Sequence, residues 1–169
     1  MKQEEIQEKL LSAFKSDVIQ SCSEFQGQLY TTVAPGKIRE VSLFLRDDPD
    51  LMFDFLSFVG AVDRYPDKPR FEIVYQLYSL EKNHRFRIKA LIDETGDAAA
   101  AIDSVVSIWP TANWHERETA EMFGIIFNGH PDLRKLLLPE DWEVYPLRKD
   151  FSVLGNDQDT PDLPHRSGN

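Results

Sequence analysis

Apolar residues at helical spacing open the chain. Between Gln3 and Phe14 they fall on one side of a helix, and Glu, Gln and Lys occupy much of the remaining surface. The apolar positions are Ile6, Leu10, Leu11 and Phe14. This pattern predicts an amphipathic helix that covers one face of a domain.

Alternation of apolar and polar residues then indicates strands. The clearest are residues 71–77 and 86–92, in which every second side chain is apolar, joined by a turn at residues 81–84. Further strands are predicted at residues 18–25, 28–33 and 56–62. The polar alternate positions favour an antiparallel sheet that is covered on one side only.

Proline and aspartate mark the starts of further helices. A helix over residues 35–46 is predicted because its first residue is proline, whose missing N–H costs nothing in a first turn. Asp48 is placed as an N-cap and predicts a second short helix over residues 49–55. Residues 98–108 carry a broad apolar face and predict a third helix, which Pro110 ends.

Together these elements predict an α+β fold: a single domain with a small, mainly antiparallel sheet of about four strands covered by helices. The length of 169 residues is enough for one such core. We expect a core domain over residues 1–124, a turn region and docking strap over 125–151, and a flexible tail over 152–169. The tail is poor in large apolar residues, so burial cannot offset its ordering entropy.

Charge and cysteine content narrow the functional classes. The formal net charge is −10, which argues against nucleic-acid binding because phosphate recognition depends on Lys and Arg. Cys22 is the only cysteine, so this chain alone cannot form a disulfide or a cysteine-ligated zinc or iron–sulfur site. A reducing, cytosolic compartment is expected. With no signal-peptide core and no run of roughly 18 apolar residues, membrane association is expected only through partners.

A charged helix is predicted over residues 114–123. Asn113 and Glu116 are spaced as a capping box, in which each side chain bonds the backbone of the other residue. Gly124 is placed as the C-terminal stop of this helix.

Two carboxylates on this helix raise the question of chemistry. Glu118 and Glu121 share a face and would suit metal binding or acid–base catalysis, since paired carboxylates raise one pKa. The zinc motif His-Glu-x-x-His is absent, because Thr119 stands where the second histidine is required. An ion-paired helix face, with Arg117 and Glu121 four residues apart, is favoured instead.

The segments that follow are open to two interpretations. His130, between Gly129 and a proline, is interpreted as a hydrogen-bonding turn residue before a short helix capped by Asp132. Residues 133–138, rich in leucine, suit core packing or an exposed interface anchor. The strap, residues 146–151, has mixed charge bracketed by apolar side chains, and docking on another subunit is favoured over simple solvation.

These residues also carry a resemblance to a known family. The matching positions, which we expect to form a subunit interface, are Glu116, Arg117, Glu118, Glu121, Gly124, Gly129, His130, Pro131, Arg134, Pro146, Leu147, Arg148, Lys149, Asp150 and Phe151. They resemble the signature of the C subunit of bacterial NADH:quinone oxidoreductase, respiratory complex I, whose family includes the mitochondrial iron–sulfur protein 3 subunit and the cyanobacterial and plastid J subunit. One departure is Val144, where the family usually carries glycine before the strap.

The resemblance implies a peripheral-arm protein that binds no cofactor itself and docks on the quinone-site D subunit and its neighbours. Flavin, iron–sulfur clusters and quinone are then expected on partner subunits, at the cytoplasmic face of the bacterial inner membrane. The implied activity of the complex is electron transfer from NADH to quinone coupled to proton translocation, with no catalytic residue in this chain. The absence of Gly-x-Gly-x-x-Gly and P-loop motifs agrees with this interpretation.

Two alternatives stay open at this point. The chain could serve the equivalent role in a membrane-bound hydrogenase or another complex I-like oxidoreductase, whose corresponding subunits look similar. A stand-alone carboxylate or metal enzyme would have to use Glu118, Glu121 and His130, and rests on residue types alone.

Overall fold

Five strands form the main sheet of the computed structural model, which describes residues 1–151. They are β1 (Ile19–Phe25), β2 (Gln28–Val33), β3 (Phe55–Asp63), β4 (Phe71–Ser79) and β5 (His84–Ile92). Their order is β1-β2-β5-β4-β3, and neighbours are antiparallel except β2 and β5, which are parallel. The α+β class is confirmed, with five strands in place of about four. The predicted flexible tail, 152–169, lies outside the described residues.

Alternate side chains of the two central strands form the middle of the core. Every second residue of β4 and β5 is buried, as the alternation predicts, and most of the others are partly exposed. The buried apolar residues on these strands are Phe71, Ile73, Tyr75, Leu77, Phe86, Ile88, Ala90 and Ile92. In these two strands, burial of the side chains therefore follows the two-residue alternation of the sequence.

Two amphipathic helices contribute to the same core. Helix α1 (Gln3–Ala13) buries Ile6 and Leu10, and helix α2 (Ile38–Asp47) follows a short 3₁₀ turn that begins at Pro35. Both match the predicted helices to within a few residues. None of the helices within residues 1–151 is long and apolar enough to cross a bilayer.

The predicted short helix at residues 49–55 is wrong. The Asp48 carboxylate does accept hydrogen bonds from the amides of Asp50 and Leu51, at 3.0 and 3.2 Å, as an N-cap would. The turn ends there because Met52 adopts a positive φ of 44°, which a right-handed helix excludes. Phe55 then starts β3.

The predicted helix over residues 98–108 is also wrong. Residues Ala101–Asp103 form strand β6, which pairs in parallel with β7 (Ile126–Asn128). The Ile126 amide donates to the Ala100 carbonyl and the Ser104 amide to the Asn128 carbonyl, each at 2.9 Å. Pairing with a distant, later segment of the chain therefore overrides the helical propensity of the alanines.

Helix α3 (Ala112–Phe123) lies beside β3, one of the two edge strands of the main sheet. It occupies the position of the predicted charged helix. Strand β7 follows it, and residues 129–151 then run without a helix or strand. Helix α3 therefore stands between the sheet edge and the segment that carries the rest of the signature.

Candidate functional site

Glu116 lies on the buried face of α3 and does not cap the helix. The helix begins after Thr111 with no side-chain cap, and the Asn113 amide donates to the Pro110 carbonyl instead. The predicted capping box is therefore wrong. The Glu116 side chain, 0% exposed, accepts a hydrogen bond at 2.8 Å from the Val105 amide through Oε1.

Burial sets the protonation behaviour of Glu116. Desolvation raises its pKa to about 7, and the neighbouring Ser104 and Val105 lower it only in part. Its Oε2 atom is buried and has no hydrogen-bond partner among residues 1–151, and the same holds for the Tyr75 hydroxyl. Burying a neutral carboxylic acid costs less free energy than burying a carboxylate, so the protonated form predominates in the folded chain below about pH 7.

Arg117 and Glu121 bind the same backbone segment, Arg117 through its carbonyl groups and Glu121 through its amide groups. Arg117 donates from Nε and Nη2 to the carbonyls of Arg134 and Lys135, at 2.8 and 3.2 Å. Glu121, only 6% exposed, accepts amide hydrogen bonds from the next three residues at 2.9 to 3.2 Å. These residues are Leu136, Leu137 and Leu138. The two side chains thus bind residues 133–138, the leucine loop, rather than each other.

The two carboxylates of the metal or acid–base hypothesis therefore differ in their surroundings. Both Glu121 oxygens are engaged by backbone amides, whereas Glu118 is exposed. Across residues 1–151, no group of three or more His, Cys, Asp or Glu side chains is arranged to hold a metal ion. The structure thus gives no geometric support to a stand-alone enzyme built on these residues.

His130 organises the turn before the leucine loop. Its Nδ1 accepts from the Asp132 amide at 3.0 Å, so Nε2 carries the proton that it donates to the Asn113 carbonyl at 3.1 Å. Asp132 accepts from the backbone and side chain of Arg134. The hydrogen-bonding turn role predicted for His130 is confirmed. The short helix predicted after it is absent, and a bend takes its place.

A buried arginine ties the strap to the domain. Arg70 pairs with Asp63 through Nε and Nη2 at 3.1 and 2.9 Å, with Glu94 at 3.2 Å and with Asp150 at 2.8 Å. Arg148 pairs with Glu94 at 2.9 Å. Its Nε donates to the Phe123 carbonyl at 2.6 Å.

Asp63 completes this network by accepting from the strap backbone. The Lys149 amide donates to Asp63 Oδ2 at 2.9 Å. Burial alone would raise the pKa of Asp63, but hydrogen bonds from Arg70 and from the amides of Tyr65 and Lys149 outweigh it and lower that pKa to about 2. Asp63 therefore stays ionised at neutral pH.

Sequence reasoning missed three charged residues near strand ends: Asp63 ends β3, Arg70 directly precedes β4, and Glu94 comes two residues after β5. The only available signal was a charge at an inward-facing strand position, as Asp63 is in β3. Arg148 pairs with Glu94 and Asp150 pairs with Arg70, so most of the charged side chains of the strap already have partners within the chain. Docking of the strap on another subunit stays a prediction.

Glycine is required at position 124 for two reasons, its backbone conformation and the lack of space for a side chain. It adopts φ of 72° as the left-handed C-cap of α3, as the sequence predicts. A Cβ there would lie 2.6 Å from both Arg148 Nη2 and the Tyr145 ring, which pack against this glycine. Val144 is not among the residues of positive φ, so the strap needs no glycine at that position in this chain.

The remaining signature residues shape the segment between β7 and the strap. Gly129 has φ of 77° and opens the His130 turn, and Pro131 in that turn is exposed. Pro146 and Phe151 are half-buried, and the Phe151 amide donates to the Arg148 carbonyl at 3.1 Å.

Several large apolar side chains around this site remain exposed. Leu133 and Leu137 in the leucine loop are 40% and 61% exposed, and Leu147 in the strap is 56% exposed. Trp114 is 59% exposed, and its ring lies 5.3 Å from the guanidinium carbon of Arg117, the residue that also reaches the leucine loop. Complete core packing of residues 133–138 is therefore wrong, and the role of the exposed leucines as interface anchors stays a prediction.

Comparison with known proteins points to one family. A family model described as "Respiratory-chain NADH dehydrogenase, 30 Kd subunit" matches residues 31–157. The C subunit of NADH-quinone oxidoreductase from Roseiflexus sp. (strain RS-1) is 47% identical over 143 residues, which cover 85% of this chain and 80% of the relative. The C subunit from Citrifermentans bemidjiense is 41% identical over 151 residues, covering 89% and 90% of the two chains.

A solved structure shows the same fold. It belongs to the membrane-bound sulfane sulfur reductase, an archaeal respiratory membrane complex. The TM-score is 0.73 at 25% sequence identity, and the match covers 94% of this chain and 98% of the other.

Replacing Glu116 by glutamine should remove a pH dependence of stability. Folding raises the pKa of Glu116 from 4.5 to about 7, so its contribution is complete below pH 4.5 and is lost as pH rises through about 7. At pH 8 the wild type should be less stable than Glu116→Gln by about 1–3 kcal/mol, and the difference should vanish near pH 4. Urea unfolding between pH 4 and 8 measures this. Parallel stability curves for the two proteins would contradict it.

Replacing Gly124 by alanine should destabilise the chain by about 2–3 kcal/mol, through positive-φ strain and displacement of Tyr145 and Arg148. Gly36→Ala is the matched control, because a Cβ there meets nothing within 4 Å and φ is not positive. Thermal and urea unfolding of both variants measure the difference. Equal stabilities would show that the glycine cap is dispensable.

Proposed function

We propose that this chain, which belongs to the family of the 30 kDa subunit of respiratory-chain NADH dehydrogenase, is a cofactor-free scaffold that docks on the quinone-site D subunit. The chain is a C subunit of NADH-quinone oxidoreductase, complex I, and hence a component of an oxidoreductase complex that contains further subunits. The resemblance seen in the sequence signature is confirmed. The identity of the partner as the D subunit is the part that we infer.

The observation that carries the proposal is the leucine loop. Hydrogen bonds from Arg117 and to Glu121 fix its backbone, while Leu133 and Leu137 stay exposed to solvent. A backbone that is already fixed lowers the ordering cost of binding, and removing exposed leucine side chains from water contributes favourable free energy. The loop therefore has the properties of a preformed docking element.

The donor inventory supports a role without a bound cofactor. Iron–sulfur clusters of the common types need several cysteine ligands, and the sequence contains only Cys22, on β1. We therefore assign iron–sulfur clusters to partner subunits, and the family resemblance assigns flavin and quinone to them as well. In this proposal the chain takes part in electron transfer from NADH to quinone, and in the coupled proton translocation, by holding catalytic neighbours in place.

We also infer a peripheral position at the cytoplasmic face of the bacterial inner membrane, reached through the other subunits. The solved relative belongs to a respiratory membrane complex, which supports association with a membrane-bound assembly. The charge of −10 makes direct attraction to an anionic lipid surface unfavourable.

The same solved relative is compatible with one alternative, an equivalent component of another complex I-like oxidoreductase such as a membrane-bound hydrogenase. The higher identity to the C subunit of NADH-quinone oxidoreductase, 47% against 25%, favours complex I. Neighbouring genes discriminate the two: NADH-binding and flavin subunits indicate complex I, and a nickel-ligating large subunit indicates hydrogenase.

Leu137→Asp tests the docking role. Placing a charge at an apolar anchor should reduce the amount of the D subunit that co-purifies with the co-expressed chain by about tenfold or more, because the charge must be desolvated on binding. The substitution should leave the melting temperature unchanged, since the side chain is 61% exposed.

Leu80→Asp is the matched control, because Leu80 is 63% exposed in the turn between β4 and β5. This variant should co-purify the D subunit like the wild type. Failure of the wild-type chain to capture the D subunit, or equal capture by both variants, would contradict the proposal.

A further inference from the structure

Glu118 is the signature carboxylate on α3 that the fold does not use. Glu116 binds the Val105 amide, and Glu121 binds three amides of the leucine loop. Glu118 is exposed, and its side chain makes no hydrogen bond or ion pair with any residue between 1 and 151. Within that range its charge is available to a partner.

Glu118 stands at the rim of an apolar groove of about 130 Å³ between α3, β3 and the strap. The groove is lined by Phe58, Val59, Gly60, Ala61, Glu118, Thr119, Met122, Phe123 and Leu147. Small-molecule and cofactor sites usually occupy about 300–1,000 Å³, so this groove is too small for one. An apolar cavity of about 150 Å³ holds a benzene molecule, so this slightly smaller groove has the volume of one apolar side chain.

The walls of the groove are already in place in the single chain. The ring of Phe58 lies across Gly60, where a Cβ would overlap it. The backbone of Leu147 is held by its amide, which donates to the Met122 carbonyl at 3.2 Å. Phe58 and Leu147 nevertheless remain 50% and 56% exposed. The groove thus presents apolar surface to solvent on a fixed backbone.

The charges around the groove favour a basic partner. Arg148, the strap cation beside it, is paired with Glu94, and Arg117 on α3 donates to loop carbonyls. Neither cation pairs with Glu118, and the chain as a whole carries a charge of −10. A lysine or arginine that approaches the rim therefore meets a carboxylate that no residue between 1 and 151 neutralises, within an acidic protein.

We propose that this groove binds a segment of the partner protein in which an apolar side chain fills the groove and an adjacent Lys or Arg pairs with Glu118. The inference rests on the proposed docking role and defines a second contact, separate from the leucine loop. Burial of the apolar side chain stabilises the complex. The ion pair orients the bound segment, because a charge pair beside a contact that excludes water fixes the register of an extended segment.

Affinity of the full-length chain for the purified D subunit of the same organism tests the charged half. Glu118→Lys should raise the Kd by at least about tenfold, because it places two cations together, and Glu118→Gln should have a smaller effect. Glu8→Lys is the matched control, since Glu8 is an exposed glutamate on α1 with the same change of charge. Its Kd should match that of the wild type.

The apolar half is tested by Phe58→Gln, with Phe25→Gln as control, since both rings lie on strands and are 50% and 61% exposed. Only Phe58→Gln should raise the Kd. The wild-type affinity should also fall more steeply with salt than that of Glu118→Gln, because an ion pair near the surface is screened. Melting temperatures of the isolated variants establish that each remains folded.

The outcomes separate this inference from the docking role itself. If the wild type binds the D subunit and Leu137→Asp weakens binding while Glu118→Lys does not, the groove is not a contact and the scaffold role stands. If Glu118→Lys and Glu8→Lys weaken binding equally, overall charge rather than the groove is responsible, and the inference is wrong. If the wild type does not bind the D subunit, both proposals are wrong.

Discussion

Residues 129–151 contain no helix or strand, so their backbone polar groups depend on partners from the rest of the chain. Helix α3 supplies the central ones: Arg117 binds two carbonyls and Glu121 binds three amides of the leucine loop. Each charged side chain replaces hydrogen bonds that a regular element would make internally, and charge-assisted bonds are the stronger kind. The position of α3 therefore determines where the leucine loop lies, whereas the strap is held by Arg70, Asp63 and Glu94.

Three glutamates on this one helix show how surroundings decide the use of a residue type. Glu116 faces the core, where desolvation favours its neutral form. Glu121 is also buried but meets three amide donors, which suit a carboxylate. Glu118 faces solvent beside an apolar groove. Spacing along the helix suggests a carboxylate pair, but only the surrounding backbone shows that these groups serve separate purposes.

Local patterns predicted the elements whose partners are local. The alternation in β4 and β5 and the glycine stop of α3 were recognisable because each depends on a few neighbouring residues. The helix expected over residues 98–108 failed because β6 gains its hydrogen bonds from β7, later in the chain. The strap was harder still, since the Lys149 amide binds Asp63, 86 positions earlier. Distant pairings of this kind leave no periodic trace in a sequence.

The distribution of paired and unpaired charged groups agrees with the proposed scaffold role. A catalytic site keeps ionisable groups accessible, so that they can exchange protons or contact a substrate. Here Arg70, Arg148 and Asp63 are engaged by partners inside the chain, and their role is to hold the strap against the domain. What the described surface offers to a partner is a fixed backbone, outward leucines and the carboxylate of Glu118. Such a surface has the properties that docking on a neighbouring subunit requires, because preorganised contacts lower the cost of binding.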